Sequence, residues 1–359
     1  MEVDRVLLAS PRGFCAGVEK AIKALAWMVR VFEPPVYCYH EIVHNRHVVD
    51  QFRARGVVFV DDVDEVPPGA PLMLSAHGSA PQVVLAARDR ERVVVDAVCP
   101  LVTKVHHELK VRAGKGYTIL YVGHEGHEEA VGTMAVAPSA VRLVRSVEEV
   151  DEAAADIAQD SPVALLAQTT LSHDEWSEIM ARAQERFPQL WMPNRSDLCF
   201  ATTNRQAALK AIAGRADAVV VIGSDNSSNT RALEKVARAS GCGRVVRVNA
   251  ADELPDDLSG TVAVTAGASA PDELVDDVLD RLAPVHGVEE VHVTDEDEYF
   301  PPPPELRDAL RGLAAGLALG LGAPPPGHGT AGITRESGGG PLAGDRQVSA
   351  ADVLARLAG

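Results

Sequence analysis

Residues 93–112 read Val93-Val94-Val95-Asp96-Ala97-Val98-Cys99-Pro100-Leu101-Val102-Thr103-Lys104-Val105-His106-His107-Glu108-Leu109-Lys110-Val111-Arg112. The opening β-branched run is apolar at consecutive positions, so it predicts a strand covered on both faces. From Leu101 the apolar residues recur at three- and four-residue spacing, which predicts a helix. Pro100 suits a first helical turn, and Cys99 stands in the turn ahead of it. The same alternation runs outward in both directions. Strand-like runs lie at Val6–Ala9, Val36–Tyr39, Val57–Val60, Leu72–Ser75, Thr118–Val122, Val163–Leu166, Ala218–Ile222 and Thr261–Val264. Helical patterns lie between them at Val18–Phe32, Asp174–Phe187, Thr203–Ala213 and Thr230–Ala239. This is an α/β fold with mainly parallel sheets.

The chain has 359 residues, 34 Lys and Arg against 51 Asp and Glu, and a formal charge of −17. Length and apolar content allow two or three cored domains without disulfides. The acidic balance disfavours nucleic acid and anionic membrane surfaces as partners. The start, Met1-Glu2-Val3-Asp4-Arg5, lacks the basic-then-apolar order of an export signal. The longest small-residue apolar run, Gly312–Pro326, is too short and Gly-broken to span a bilayer. The expectation is a soluble, cytoplasmic protein. After Phe300 the texture turns Pro- and Gly-rich, which predicts a largely disordered tail over residues 301–359. Within it, Ser349 and Asp352 could cap a short terminal helix.

Of five cysteines, Cys15, Cys99 and Cys199 each sit in a turn just before a helix. A helix N-terminus stabilises a thiolate, the form that binds soft metals. A lone buried cysteine is more often a small core residue, but three in one setting point to a shared centre. Three similar α/β units, each delivering one thiol, are the simplest geometry. No CxxC pair is present, which argues against structural zinc. The three isolated thiols match an iron–sulfur cluster with one iron left without a protein ligand, its nuclearity open. Cys38, inside a strand, and Cys242, in a surface-like turn, lack this context.

His44, His77, His124 and His127 follow strand-like runs, and ligands of open α/β sheets gather at strand carboxyl ends. His106, His107 and His173 fall on helical patterns and read as surface. Asn226-Ser227-Ser228-Asn229 opens a helix with more polar side chains than capping needs, a phosphate cradle. Thr265–Pro271 and Gln168–Ser172 repeat the strand, small-residue turn and helix. Together these suggest a phosphorylated or diphosphorylated substrate held by neutral donors and imidazoles. Glu129, two residues from His127, suits a proton donor whose pKa burial would raise, with Glu125 and Glu128 as rivals.

These segments, with Pro11–Val18, Val43–Arg46, Ser75–Gly78, Cys99–His106, Gly123–Met134 and Cys199–Gln206, resemble the 4-hydroxy-3-methylbut-2-enyl diphosphate reductase family. The motifs run in that family's order over about residues 4–306. The resemblance implies three pseudo-equivalent α/β units around a central 4Fe-4S cluster on Cys15, Cys99 and Cys199. On this chain the units are expected at 1–99, 100–196 and 197–300. It implies that His44, His77, His127, Ser227, Ser228, Asn229 and Ser269 hold the diphosphate, that Glu129 supplies protons with His127 as relay, and that Thr169 orients the substrate hydroxyl. A ferredoxin or flavodoxin-type electron donor is implied as partner. His127-Glu128-Glu129 departs from the family's usual His-Pro-Glu, and Val131 stands where an acidic residue is common. A cluster hydratase or an iron–sulfur sensor are the other readings the thiols alone allow.

Overall fold

The computed structural model describes residues 1–89, 93–158, 160–320 and 345–358. Strand β1 (Glu2–Ser10) is followed by α1 (Ala16–Val31), β2 (Val36–Tyr39), α2 (Arg46–Arg53), β3 (Val57–Val60), β4 (Leu72–Leu74), α3 (Pro81–Arg88) and β5 (Val94–Asp96). The middle stretch holds α4 (Pro100–Gly114), β6 (Thr118–Val122), α5 (Glu128–Met134), β7 (Val141–Val144), α6 (Val147–Asp156), β8 (Val163–Ala167) and α7 (His173–Arg186). Then come α8 (Phe200–Ala213), β9 (Ala218–Ile222), α9 (Ser228–Ala239), β10 (Val245–Val248), β11 (Ser259–Ala266), α10 (Asp272–Leu282) and β12 (Val288–His292), followed by α11 (Pro304–Gly320) and α12 (Ala350–Ala358).

Three parallel sheets result, in the orders β3-β2-β4-β5, β7-β6-β8 and β10-β9-β11-β1-β12. They fit the three-unit expectation. Each strand run apolar on both faces is buried because helices cover it: Ile22, Leu25 and Met28 of α1 lie in one core with Cys38, Met73 and Val95. Val105 and Leu109 of α4 pack with Ile119 and Tyr121, and Leu209 and Ile212 of α8 with Val219 and Val221. Each such side chain, fully buried, contributes about 1.5–3 kcal/mol of transfer free energy.

The sheets are joined in a ring, and the thiols mark the joints. β1 belongs to the five-stranded sheet, yet the helix after Cys15 packs on the four-stranded one. β5 ends the four-stranded sheet, and the helix after Cys99 packs on the three-stranded one. The segment bridged to that sheet at Trp191 leads to Cys199, whose helix packs on the five-stranded sheet.

Two sequence expectations need correction. The first unit does not begin at residue 1, because β1 pairs with β11 and β12 rather than with β2–β5. The C-terminal tail is not disordered where it is described. Leu306 and Leu310 of α11 and Ala350 and Leu354 of α12 are buried in the core that contains α1, and that apolar burial offsets the entropy of ordering them. Ser349 caps α12 as expected, its Oγ accepting from Asp352 N at 3.0 Å and donating to the Asp352 carboxylate at 2.8 Å. The expectation for residues 321–344 lies outside the described residues.

Candidate active site

Cys15, Cys99 and Cys199 are the N-cap residues of α1, α4 and α8 and line one pocket. Gly17 shows how close two of them come: a Cβ placed there would lie 2.9 Å from Cys99 Sγ and 3.8 Å from Cys15 Sγ. Burial pushes the Cys99 thiol up to about 12 and the Cys199 thiol up to about 11, and the neighbouring cysteines add to both shifts. Three thiols sharing one pocket at three helix N-termini are a donor set that a soft cation would complete. The residues present therefore fit a thiolate-bound metal group.

Each cysteine is also pinned by its backbone N–H to a different pocket loop. Cys15 N donates to Ala268 O at 3.1 Å, Cys99 N to Ala76 O at 3.0 Å, and Cys199 N to Thr169 O at 3.0 Å. The acceptors are the neighbours of Ser269 and His77, and Thr169 itself. The thiols and the polar groups expected to meet a substrate are thus one rigid assembly.

Glu129 is fully enclosed, with Oε1 accepting from Thr169 N at 2.7 Å and Oε2 from Thr169 Oγ1 at 3.0 Å. Those bonds favour the carboxylate, but burial dominates and raises its pKa to about 7. The rivals separate here. Glu125 is exposed and paired with Arg145, and Glu128 turns to His77 Nδ1 at 2.8 Å and His40 Nδ1 at 3.6 Å. The Glu128–His77 approach does not satisfy hydrogen-bond geometry and leaves both atoms unpartnered. Burial pushes the Glu128 carboxyl up as well.

His127 caps α5, its Nδ1 accepting from Glu129 N at 3.2 Å. The proton of the neutral ring therefore sits on Nε2, a buried atom with no partner in the protein. Burial, then His77 and His44, lowers the His127 pKa to about 2. His44 and His77 stack with ring centres 3.9 Å apart, and His127 meets His44 edge-on at 5.3 Å. Burial lowers His44 too and brings His77 to about 4. The pocket thus presents imidazoles that burial keeps neutral, and a neighbouring anion would favour their protonation.

Facing them is the N-terminus of α9. Ser227 caps it, Ser228 and Asn229 form its first turn, and all three are buried. Asn229 Oδ1 accepts from Ala268 N at 2.9 Å, and Ser269 Oγ donates to His44 O at 2.8 Å. Gln168 Oε1 accepts from His124 N at 2.9 Å, so its amide nitrogen faces Thr170 Oγ1 at 2.9 Å and Ser228 Oγ at 3.1 Å. Ser228 Oγ also lies 3.1 Å from His124 Nδ1.

The three cysteines and the residues the family resemblance implies at the site all line this pocket: Cys15, Cys99, Cys199, His44, His77, His127, Glu129, Thr169, Ser227, Ser228, Asn229 and Ser269. His124 stands behind Ser228. Thr202, whose N donates to Cys199 Sγ at 3.3 Å, and Phe300 join the lining unannounced; Thr202 was legible as a hydroxyl three residues past a capping cysteine. His106 is half-buried beside Gly78 rather than on the surface, and Cys242 is buried, with Sγ donating to Arg244 O at 3.3 Å.

The family profile described as LytB protein matches residues 6–283. The chain belongs to the LytB family. A relative from Mycolicibacterium paratuberculosis, named 4-hydroxy-3-methylbut-2-enyl diphosphate reductase, is 49% identical over 310 residues, covering 85% of this chain and 93% of the relative. The solved E-1-hydroxy-2-methyl-but-2-enyl-4-diphosphate reductase from Plasmodium falciparum superposes with a TM-score of 0.83 at 30% identity, over 87% of this chain and 99% of that one. A second solved structure, (E)-4-hydroxy-3-methyl-but-2-enyl diphosphate reductase, described as the terminal enzyme of the non-mevalonate pathway, gives a TM-score of 0.56 at 27% identity, over 78% and 99%. The LytB match contains the whole pocket except Phe300, whereas α11 and α12 lie beyond it.

Proposed function

We propose that Cys15, Cys99 and Cys199 hold a 4Fe-4S cluster and that the polar groups around them bind and protonate an allylic diphosphate beside it. The chain is a reductase of 4-hydroxy-3-methylbut-2-enyl diphosphate in isoprenoid synthesis. The allylic C–O bond breaks, the oxygen takes one proton and leaves as water, and two electrons with a second proton complete the isopentenyl or dimethylallyl product. When bound, such a cluster supplies electrons and an iron without a protein ligand that acts as a Lewis acid.

The protein's own groups do the rest. The α9 N-terminus with Ser227, Ser228 and Asn229 offers donors to the diphosphate, and Ser269, His44 and His77 close on it from the facing loops. The free Nε2–H of His127 points a further donor at the anion and can return a proton through it. Glu129 carries its proton up to about neutral pH. With Oε1 occupied by the Thr169 N–H, that proton lies on Oε2, which then donates to Thr169 Oγ1, 3.0 Å away, and leaves the Thr169 hydroxyl free to donate toward the substrate hydroxyl. A ferredoxin or flavodoxin-type protein is the fitting source of single electrons. Among the described residues no helix is long and apolar enough to cross a membrane, and free thiols suit the reducing cytoplasm.

The observation that carries this reading is a buried carboxyl bonded to Thr169 in a pocket it shares with three helix-capping thiols. Anaerobically prepared protein should be brown and should turn over the hydroxy-diphosphate with a low-potential donor. Glu129→Gln should keep its iron and lose roughly 10²–10⁴-fold in turnover. Parent-like turnover in that variant would remove Glu129 from the role.

A further inference from the structure

We propose that Lys20, Lys104 and Arg205 form a closed ring of straps that sets the three thiols relative to one another, and that Lys20 also places positive charge beside Cys99. The inference rests on reading the cysteines as the ligand set. Each cation rises from the second turn of a helix capped by one cysteine and grips the main chain just ahead of the next cysteine. On α1, Lys20 Nζ donates to Val98 O at 2.8 Å, one residue before Cys99. On α4, Lys104 Nζ reaches Arg195 O at 3.2 Å and Asp197 Oδ1 at 3.1 Å, before Cys199. On α8, Arg205 donates to Gly13 O from Nε at 3.0 Å and from Nη2 at 2.8 Å, before Cys15. The sequence of grips runs from the first thiol to the second, the second to the third, and the third back to the first.

Packing alone does not require this. Lys20 and Arg205 are buried cations, which are costly to desolvate. Lys20 gives a donor to the Cys99 loop, and Arg205 divides its donors between the Gly13 carbonyl ahead of Cys15 and the Glu296 carboxylate, 2.8 Å from Nη1. Three independent units arrive at the same solution around one point. Groups one shell out from a metal orient its ligands and tune its potential, and a nearby cation stabilises an added electron.

The test uses the anaerobic holoprotein of the full chain, read by iron and sulfide content, iron release to a chelator, and midpoint potential from an EPR-monitored titration. Lys20→Met should release iron about tenfold faster and shift the midpoint to more negative values. Lys104→Met combined with Asp197→Asn removes the second strap without stranding a buried carboxylate, and should likewise speed release. Lys104→Arg should restore the parent rate. Should Lys20→Met fail to fold, the Lys104 pair decides. Parent-like release in the folded variants, with an unmoved potential in Lys20→Met, overturns the inference while leaving the function intact. A parent protein that takes up no iron overturns the ligand reading itself.

Discussion

Glu129 concentrates the pH behaviour of the site in one side chain. Its proton is held to about pH 7 in the folded chain, whereas an unfolded glutamate loses it near pH 4.3. Turnover limited by this acid should therefore fall as pH rises through about 7, and a pH–rate profile of the holoenzyme reads it directly. The linkage has a definite sign. The folded chain binds more protons than the unfolded chain between those two values, so the contribution to stability is complete below the lower one and is lost as pH rises through the upper. Glu129→Gln has no proton to lose, so relative to the parent it should gain on the order of 1–3 kcal/mol between pH 5 and pH 8 in denaturant melts of the metal-free chain. Gly17 is the second sensitive residue. Gly17→Ala would set a methyl 2.9 Å from Cys99 Sγ, so the variant should fold, by circular dichroism, yet hold less iron and sulfide per chain. That closeness could not be read from the sequence, because it depends on the start of α1 meeting the loop after β5, far along the chain. The cysteines themselves were legible, since a thiol one residue ahead of a helical pattern is a local feature.

At the scale of elements, the strands recognised in the sequence were those apolar on both faces, such as β6 and β9. The three that escaped, β7, β10 and β12, all lie at sheet edges. Arg142, Arg247 and Glu289-Glu290 interrupt their apolar runs because an edge strand tolerates a solvated face. The short helices α2 and α5 escaped for a different reason: eight and seven residues are too few for a period to declare itself. The tail misled through composition. Pro and Gly around residues 301–304 and 324–340 drew attention from Leu306, Leu310 and Leu354, whose burial was decided by a partner elsewhere in the chain, α1. Leu354→Ala should accordingly cost about 2–4 kcal/mol, read as a lower unfolding midpoint, with the iron content unchanged because, among the described residues, none of α12 lines the pocket.

For the molecule as a whole, the thiols stand where the chain passes from one sheet to the next, so a cluster held by them would also fasten the units together. Stripping iron from the holoprotein with a chelator should raise amide hydrogen exchange at residues 13–17, 97–101 and 197–201 together, while β6 and β9, buried within their own sheets, stay protected. Loss of protection confined to one of the three junctions would contradict a shared centre. The threefold logic was visible in the recurrence of cysteine, turn and helix. Its closure was not, since parallel pairing of β1 with β11 and β12 leaves no local mark. That pairing has a consequence for biosynthesis. Strand β1 must wait for Ser259–Ala266 and Val288–His292 before it has a neighbour, and Cys15 waits with it. Nascent chains stalled before residue 259 therefore have two of three sheets available but no finished cradle, so a cluster held by the three thiols would be loaded only after those late strands have emerged.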